Sequence, residues 1–319
     1  MKKVLRIGTR DSQLAIWQAN FVREQLAAID ITAELVFIKS DGDLDLVTPL
    51  YALGVQGVFT KTLDAALLSN RIDIAVHSMK DVPTQLARGL QQAAVLPRAS
   101  FHDILVYRGN DDSLLPDLGY RQAAWQEPAT NGIPRVIASS SVRRRAQWLH
   151  RYPAHRFENL RGNVNTRLHK LSESNWDGAI FAAAGLERID LRPETSVTLN
   201  WMLPAPAQGA IMIAAREGDK AILETLSALN DPDTALCTKL EKDFLKALMG
   251  GCATPISALA QLQGDLVQFE GNLLNLSGTR CLEIRLSAHR SVADNLGQQA
   301  AEQLLSQGAH EILATVRDV

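Results

Sequence analysis

The sequence predicts an α/β protein with two similar units and a smaller α+β unit at its C-terminal end. Apolar strand patterns alternate with helix patterns through most of the chain, the order typical of sheets covered by helices on both faces. The last part of the chain has strand patterns followed by one helix. A length of 319 residues allows two or three domains, and 46% hydrophobic residues exclude general disorder.

The first unit has a βαβαβ pattern. Asp11 or Ser12 can cap the helix that follows the first strand, and the third strand ends at His77 and Ser78. Because helices join consecutive strands, we expect a mostly parallel sheet. The predicted elements are strand 4–7, a helix after residue 12, strand 33–38, helix 60–68 and strand 72–76.

The second unit repeats this alternation, and the chain then returns toward the first unit. Residues 109–134 are rich in Gly, Pro and Asp and are expected to be loop. The predicted elements are strands 104–107, 135–138, 157–160 and 179–183, with helices 142–150 and 164–171. A return strand at 210–214, a helical stretch over 217–248, strands near 266–274 and 281–289 and a helix around 292–306 follow.

The charge is unevenly distributed along the chain. The total is −2, but 23 arginines stand against 10 lysines. Between residues 135 and 192, ten arginines and one lysine face five acidic residues, a net charge of +6, so the remainder carries −8. The basic segment lacks a nucleic-acid motif, and its arginines lie at separate strand–helix junctions. We therefore expect an enclosed receptor for carboxylates and no nucleic-acid partner.

Cysteine usage and the N-terminal segment predict a monomeric cytoplasmic protein. The three cysteines have no C-x-x-C spacing, so we expect neither a disulfide framework nor a metal site. The opening lysines are not followed by the apolar run of an export signal. The longest uncharged stretch, 195–215, contains prolines, Asn and Gln, which argues against a membrane partner. No coiled coil is readable that would predict an oligomer.

Lys80 and Asp81 follow a buried strand, at the end of a sheet where α/β proteins hold ligands. Their side chains diverge, so one could face a ligand through its ammonium group and the other through its carboxylate. The alternative is a solvated turn closed by Pro83.

Three serines and two arginines at the next junction suggest an anion site. Ser140 and Ser141 lie where a strand passes into a helix, whose free N–H groups attract anions. Arg143 and Arg144 in the first turn oppose the helix dipole, which is unfavourable unless an anion sits between them. The alternative is a solvated basic face.

Arg161 and Arg167 flank a tight turn at Gly162 and could reach the same anion site as the serines. Two surface arginines are an equally good interpretation. Other strand–helix junctions offer weaker candidates of the same kind, namely Gln208 and the pair Gly185 and Arg188.

Cys252 follows two glycines and precedes a stretch that is expected to start a helix. A bare loop gives a large group access to the thiol, and a helix N-terminus would favour the thiolate. Most lone cysteines are instead buried structural residues.

Together these segments resemble the porphobilinogen deaminase family. The resemblance runs over almost the whole chain, and the Lys-Asp strand end together with the Gly-Gly-Cys loop makes it specific. The matching motifs are Arg6 to Ser12, Asp73 to Pro83, Ser140 to Arg144, Leu160 to Leu168, Ala184 to Arg188, Pro206 to Ala210 and Gly250 to Cys252.

The resemblance implies two periplasmic-binding-protein-like α/β domains flanking a cleft, plus a small C-terminal α+β domain. The implied limits are 1–101 with 208–228, 102–207, and 229–319. It also implies a transferase of tetrapyrrole (haem) biosynthesis, which joins four porphobilinogen molecules head to tail with release of ammonia. The product is hydroxymethylbilane, and the primer is a dipyrromethane cofactor held covalently by a thioether to Cys252.

The resemblance further implies a role for each matched residue. Asp81 would be catalytic, because a carboxylate stabilises the cationic azafulvene and the cationic pyrrole and can mediate proton transfer. The cofactor would be held by Cys252, Lys80, Ser141, Arg143, Arg144, Gly185 and Arg188. The substrate would be bound by Arg10, Ser12, Ser140, Arg161, Arg167 and Gln208.

Some positions depart from the family pattern. The lid segment has Ala52 and Gln56 where lysines are common, although Lys61 follows. Gln13 replaces a common Pro, Met249 a common acidic residue and Lys242 a common Arg. Two alternatives to an active deaminase are a non-catalytic, two-lobed solute-binding module and a paralogue that binds tetrapyrrole precursors but elongates poorly.

Overall fold

The computed structural model describes residues 4–39, 60–109, 111–128, 133–249 and 254–317. The lid segment 52–57 and the Gly-Gly-Cys motif at 250–252 lie outside the described residues. The helices are α1 (Gln13–Ala27), α2 (Lys61–Leu68), α3 (Leu114–Asp117), α4 (Val142–Arg151), α5 (Val164–Glu173), α6 (Ala183–Glu187), α7 (Lys220–Ser227), α8 (Pro232–Ala247), α9 (Leu296–Ser306) and α10 (Ala309–Arg317). The strands are β1 (Leu5–Thr9), β2 (Ala33–Phe37), β3 (Ile74–Ser78), β4 (Leu90–Val95), β5 (Asp103–Tyr107), β6 (Tyr120–Arg121), β7 (Ala124–Trp125), β8 (Val136–Ala138), β9 (Arg156–Glu158), β10 (Gly178–Ala182), β11 (Ser196–Thr198), β12 (Ile211–Arg216), β13 (Ile256–Gln263), β14 (Leu266–Leu274) and β15 (Cys281–His289).

Lobe 1 is the sheet β2-β1-β3-β12-β4 with its covering helices. Ser12 caps α1 by accepting a hydrogen bond from Ala15 N. Alternate residues of the strands face opposite sides of the sheet, so buried residues such as Ile7 and Ala75 supply two separate cores. Gly8 is required in β1, because a Cβ there would lie 2.2 Å from Cδ1 of Ile72.

Lobe 2 is the sheet β11-β5-β10-β8-β9 with α4, α5 and α6. Its largest apolar cluster surrounds Trp148, which is fully buried and stacks near Tyr152 and Trp201. The expectation of loop over 109–134 was wrong in part, because the short helix α3 and the hairpin β6–β7 lie within it. Tyr120 and Trp125 pair across that hairpin and extend the same aromatic cluster.

The expectation of mostly parallel sheets is confirmed with one exception in each lobe: four strands of each large sheet run in the same direction, and one strand, β12 or β5, runs against them. In lobe 1, β1 pairs in parallel with β2 and β3, but β12 runs antiparallel to β3 and β4. In lobe 2, β8 pairs in parallel with β9 and β10, but β5 is antiparallel to β10 and β11. The physical reason is the path of the chain, since β12 re-enters lobe 1 after the chain has passed through lobe 2. Strands β4, β11 and β13 and helix α10 were not predicted.

The C-terminal unit is an antiparallel sheet, β13-β14-β15, packed against α8, α9 and α10. The predicted helical stretch over 217–248 is two helices, because Asp231 caps α8 and Pro232 occupies its first turn. The α/β class with a C-terminal α+β domain is therefore confirmed. We propose the domain limits stated above, because each large sheet draws its strands from within one predicted unit.

A buried ion pair joins all three units. Glu241 of α8 is fully buried and accepts hydrogen bonds from both terminal nitrogens of Arg98, at 2.6 and 3.1 Å. The same carboxylate accepts from the backbone N–H groups of Ala207 and Ala260. Four bonds to one carboxylate connect the end of lobe 1, the passage between the lobes and the C-terminal sheet.

Within the part of the chain that the structure describes, no helix is both long enough and apolar enough to cross a membrane. The same residues contain no group of three His, Cys, Asp or Glu side chains that could hold a metal ion.

Candidate active site

Lys80 and Asp81 lie on a single 3-10 turn, Met79–Asp81, at the carboxyl end of β3. The buried Met79 anchors this turn, and its N–H donates to the carbonyl of Ala210 at 3.0 Å. Both functional side chains are half-buried. The turn therefore presents an ammonium group and a carboxylate from a fixed backbone, as the sequence predicted.

Arg143 and Arg144 lie in the first turn of α4, and the anion between them is a residue of the protein itself. Asp103, the first residue of β5, accepts from Nη2 of Arg143 at 2.6 Å and from Nη2 of Arg144 at 2.7 Å. Burial raises the pKa of Asp103, but the two guanidinium groups outweigh it and hold the pKa well below its usual range. The sequence reasoning missed Asp103, although an Asp opening an otherwise apolar strand is a signal that could have found it.

Gln208 connects this carboxylate to the opposite lobe. Its amide nitrogen donates to Asp103 Oδ1 at 2.9 Å, and its amide oxygen accepts from Lys80 Nζ at 3.3 Å. Burial lowers the pKa of Lys80 to about 8, although the charges of Asp81 and Asp103 act in the opposite direction. We call Lys80, Asp103, Arg143, Arg144 and Gln208 the interlobe cluster.

Arg161 and Arg167 approach the same region from α5 and the turn before it. Asn163 caps α5, and Arg167 Nε donates to the carbonyl of Gly162 at 2.7 Å. Burial lowers the pKa of Arg167 to about 10, and the nearby charge of Arg144 lowers it further, while Asp81 raises it. Arg167 therefore lies within electrostatic reach of Asp81, which comes from the other lobe.

Arg188 contacts lobe 1 away from the interlobe cluster. Its Nη2 donates to the carbonyl of Gly209 at 2.7 Å, and its guanidinium carbon lies 5.7 Å from the ring centre of Trp17. Burial lowers its pKa to about 10. A Cβ at Gly185 would meet only ordinary contact with Leu14, at 3.8 Å, so packing does not require glycine at this position.

Ser12 and Ser141 cap helices by accepting hydrogen bonds through their hydroxyl oxygens, which leaves their hydroxyl protons available to donate. Ser141 Oγ accepts from Arg144 N at the start of α4, as Ser12 does at the start of α1. Ser140 is half-buried beside the α4 cap, and Arg10 is half-buried at the end of β1. The functional roles of these residues stay predictions.

The chain-specific positions also have contacts. Gln13 Oε1 accepts from Asn165 Nδ2 at 2.8 Å, which joins the first turns of α1 and α5 across the lobes. Lys242 Nζ donates to the carbonyl of Val82 at 2.6 Å, just after the Asp81 turn. Met249 is exposed and has a positive φ of 50°.

A cavity of about 440 Å³ lies elsewhere, between lobe 2 and the C-terminal sheet. Trp201, Asn272 and Cys281 are among its lining residues, and none of the predicted site residues that the structure describes contributes to it.

The interlobe region is suited to anions. Five cationic side chains, Lys80, Arg143, Arg144, Arg161 and Arg167, face two carboxylates, Asp81 and Asp103. Burial lowers the pKa values of Lys80, Arg143 and Arg167, and the charges of Asp81 and Asp103 offset this lowering only in part. Fold and site together define a two-lobed α/β protein that binds a ligand with several carboxylates.

Comparisons with known proteins identify the family. The model "Porphobilinogen deaminase, dipyromethane cofactor binding domain" matches residues 5–224, and "Porphobilinogen deaminase, C-terminal domain" matches 235–306. A porphobilinogen deaminase of Acidithiobacillus ferrooxidans is 41% identical over the full length of both chains. One from Geobacter metallireducens is 40% identical and covers 98% of this chain and 95% of its own. The chain belongs to the porphobilinogen deaminase family, and the predicted family, transferase class and dipyrromethane cofactor are confirmed.

Solved structures that resemble the chain include an ancestral cationic amino acid solute binding protein, with a TM-score of 0.42 and 13% identity. It covers 71% of this chain and 87% of its own. A Bordetella pertussis BvgS VFT2 domain has a TM-score of 0.41 and 12% identity, covering 73% and 90%.

Proposed function

We propose that this protein condenses four porphobilinogen molecules head to tail, releasing one ammonia at each addition, and that water then cleaves the tetrapyrrole from the primer to give hydroxymethylbilane. The observation that carries the proposal is the position of Asp81 near Lys80 and Arg167, whose pKa values are lowered by burial and are raised only in part by the carboxylates of the described residues. A substrate with two carboxylates supplies the missing negative charge.

The residues present fit a dipyrromethane group that bears carboxylates of its own. The donor set is cationic, and Arg143 Nε is buried without a hydrogen-bond partner among the described residues. Lys80, Ser141, Arg143, Arg144, Gly185 and Arg188 would hold the group, and Cys252 would attach it. When bound, the group supplies the pyrrole carbon that the first substrate is joined to.

Asp81 stabilises the positive charge that develops on the substrate's pyrrole nitrogen as ammonia leaves. Its carboxylate can also receive the proton that the attacking ring carbon loses when the new C–C bond forms. This interaction strengthens as charge develops, so it affects turnover more than binding. Arg10, Ser12, Ser140, Arg161, Arg167 and Gln208 would orient the substrate carboxylates.

Intact-mass measurement of the purified protein tests the proposal directly. For protein purified from cells that make porphobilinogen, we expect a mass above that of the bare sequence. In an activity assay, we expect the protein to consume porphobilinogen and to form a bilane product. A bare mass together with binding but no consumption would favour the solute-binding alternative. Slow consumption relative to an ordinary deaminase would favour the poorly elongating paralogue.

Cys252→Ala locates the attachment. We expect this variant to lose the added mass, while Cys237→Ala and Cys281→Ala retain it. Burial raises the pKa of Cys237 to about 11 and that of Cys281 to about 12, so neither control thiol is readily ionised. An adduct that persists in Cys252→Ala would move the attachment to another cysteine.

The proposal also covers compartment and assembly. The protein would act as a cytoplasmic monomer without a nucleic-acid or membrane partner. Cys237 and Cys281 are free thiols, as a reducing compartment favours. Light scattering after size-exclusion chromatography would report a mass near 34.9 kDa if the protein is monomeric.

A further inference from the structure

Asp103 has a side chain with no exposed surface and contacts two arginines at once. Its Oδ2 accepts from Arg143 at 2.6 Å, while its Oδ1 accepts from Nη2 and Nε of Arg144 at 2.7 and 3.1 Å. The remaining contacts of these arginines are backbone carbonyls, Leu203 for Arg143 and Ile180 for Arg144. Each guanidinium plane is therefore held by the carboxylate from one side and by the backbone from another.

The same carboxylate also orients Gln208. The amide nitrogen of Gln208 donates to Asp103 Oδ1 at 2.9 Å and to the carbonyl of Phe101 at 2.8 Å. Because both partners are acceptors, the amide nitrogen must face them, and the amide oxygen must face Lys80. Asp103 thus determines which end of the Gln208 amide meets the ammonium group.

The charges of the cluster depend on Asp103 as well. Lys80 lies among Asp81, Asp103, Arg143 and Arg144. Without the Asp103 carboxylate, three cations would remain close together with only Asp81 to oppose them. An uncompensated buried cation either moves toward water or loses its proton.

We infer that Asp103 is a positioning residue of the reaction, which holds Arg143 and Arg144 for the ligand carboxylates and turns Gln208 toward Lys80. This inference rests on the proposed function, because its readouts are deaminase kinetics. Asp103 touches no reacting atom in this account and acts only through its three side-chain partners, Arg143, Arg144 and Gln208.

Asp103→Asn tests the inference in the full-length, cofactor-bearing protein. Asn has the same size, but its NH₂ group would face an arginine N–H, and the negative charge is lost. We expect kcat/KM to fall by at least about tenfold, the cost of one charge-assisted hydrogen bond. We also expect the alkaline limb of kcat/KM against pH to move to lower pH, because the Asp103 charge raises the pKa of Lys80.

Asp177→Asn is the matched control. Asp177 belongs to the same lobe and also contacts an arginine, Arg135, and a backbone N–H, that of Val136. A residue of merely structural importance lowers the melting temperature and leaves the alkaline limb in place, which is the result we expect for the control. The same pattern in Asp103→Asn would overturn the inference.

Gln208→Met keeps the test decisive if Asp103→Asn fails to fold. This variant removes the amide between Asp103 and Lys80 but preserves the buried volume and both arginine pairs. We expect the alkaline limb to move in the same direction, because the amide oxygen that accepts a hydrogen bond from Lys80 is lost, and an unmoved limb would overturn the inference. Where both single variants fold, we expect their effects on kcat/KM to be non-additive, and additive effects would show that Asp103 does not act through Gln208.

Failure of the inference is distinguishable from failure of the proposed function. If the unmodified protein consumes no porphobilinogen, the proposed function is wrong. If it consumes porphobilinogen and the variants keep its pH profile, only the role of Asp103 is wrong.

Discussion

Strand β8 separates two arginine–carboxylate clusters with opposite charge excess. The first cluster is centred on Arg135, the residue just before the strand. Its guanidinium group pairs with Asp111, Asp117 and Asp177 at 2.5, 2.6 and 3.3 Å, so that three carboxylates face one cation. After the strand, two arginines of α4 share Asp103. The arginines of both clusters belong to the same basic segment of the sequence, but among the described residues only the second cluster has more cations than carboxylates.

The difference shows what makes a buried arginine a binding group. Arg135 and Arg144 are almost equally buried, at 5% exposure each, so burial does not separate them. The number of carboxylates around each one does. Arg135 is over-neutralised and ties the 111–117 segment to the sheet, whereas the interlobe cluster has more cations than carboxylates among the described residues.

Asp81→Asn should have the largest effect on turnover, because it removes the negative charge of the carboxylate that faces the cationic side chains of the interlobe region. We expect kcat to fall by about 10²–10⁴-fold, the usual contribution of a group that moves protons and stabilises charge. The added cofactor mass should be retained or elongation should stall early. Single-turnover kinetics with intact-mass detection would measure both, and near-normal turnover would remove Asp81 from its assigned role.

Arg135→Met should affect stability and leave catalysis alone. Removing the cation leaves three partly exposed carboxylates facing one another, so the free energy of unfolding should fall. Urea unfolding measures this loss. We expect kcat/KM to stay within about twofold of the unmodified protein. A large fall in kcat/KM at full folding would mean that the two clusters are not functionally distinct.

Arg144→Met should show the reverse pattern. Asp103 keeps Arg143 and Gln208 as partners, so the expected loss of unfolding free energy is smaller, about 1–3 kcal/mol. Cofactor loading or kcat/KM should fall by about tenfold or more, because one cation for the ligand is lost. A stability loss as large as that of Arg135→Met with normal kinetics would contradict the comparison.

A separate, pH-dependent effect on stability should come from the buried His77 and the half-buried His155, each of which lies near an arginine. Burial, and then the charges of Arg10 and Arg135 respectively, lower the pKa values of His77 and His155 to about 4. The unfolded chain binds these protons near pH 6.5, so stability is full above that pH and falls as the pH drops toward 4.

For the almost fully buried His77 this loss amounts to about 3 kcal/mol. Urea midpoints of the protein and of His77→Leu, compared between neutral pH and pH 4, would measure it. A variant that loses as much stability on acidification as the unmodified protein would show that His77 is not the source.

Much of the site was predictable because the relevant residues end strands or begin helices. Lys80 and Asp81 follow an apolar strand, and Ser141 and Arg144 open an amphipathic helix, so their placement depends on local sequence. Their mutual approach was not predictable, because Asp81 and Arg167 are brought together by the packing of two lobes. Asp103 was missed for the same reason, since its partners lie about 40 residues away in the sequence.

The sequence by itself determined the alternation of strands and helices, a cap for α1 at Asp11 or Ser12, the serines that precede α4, the arginine-rich segment and the family motifs. These features depend on local periodicity, on hydrogen bonds a few residues apart and on residue identity. Only the tertiary structure decided that the sheets are mixed, that Asp103 lies between Arg143 and Arg144, and that Arg135 is neutralised while the interlobe cluster is not. The physical reason is that strand pairing and charge compensation are set by neighbours in space, and folding brings those neighbours from distant parts of the chain.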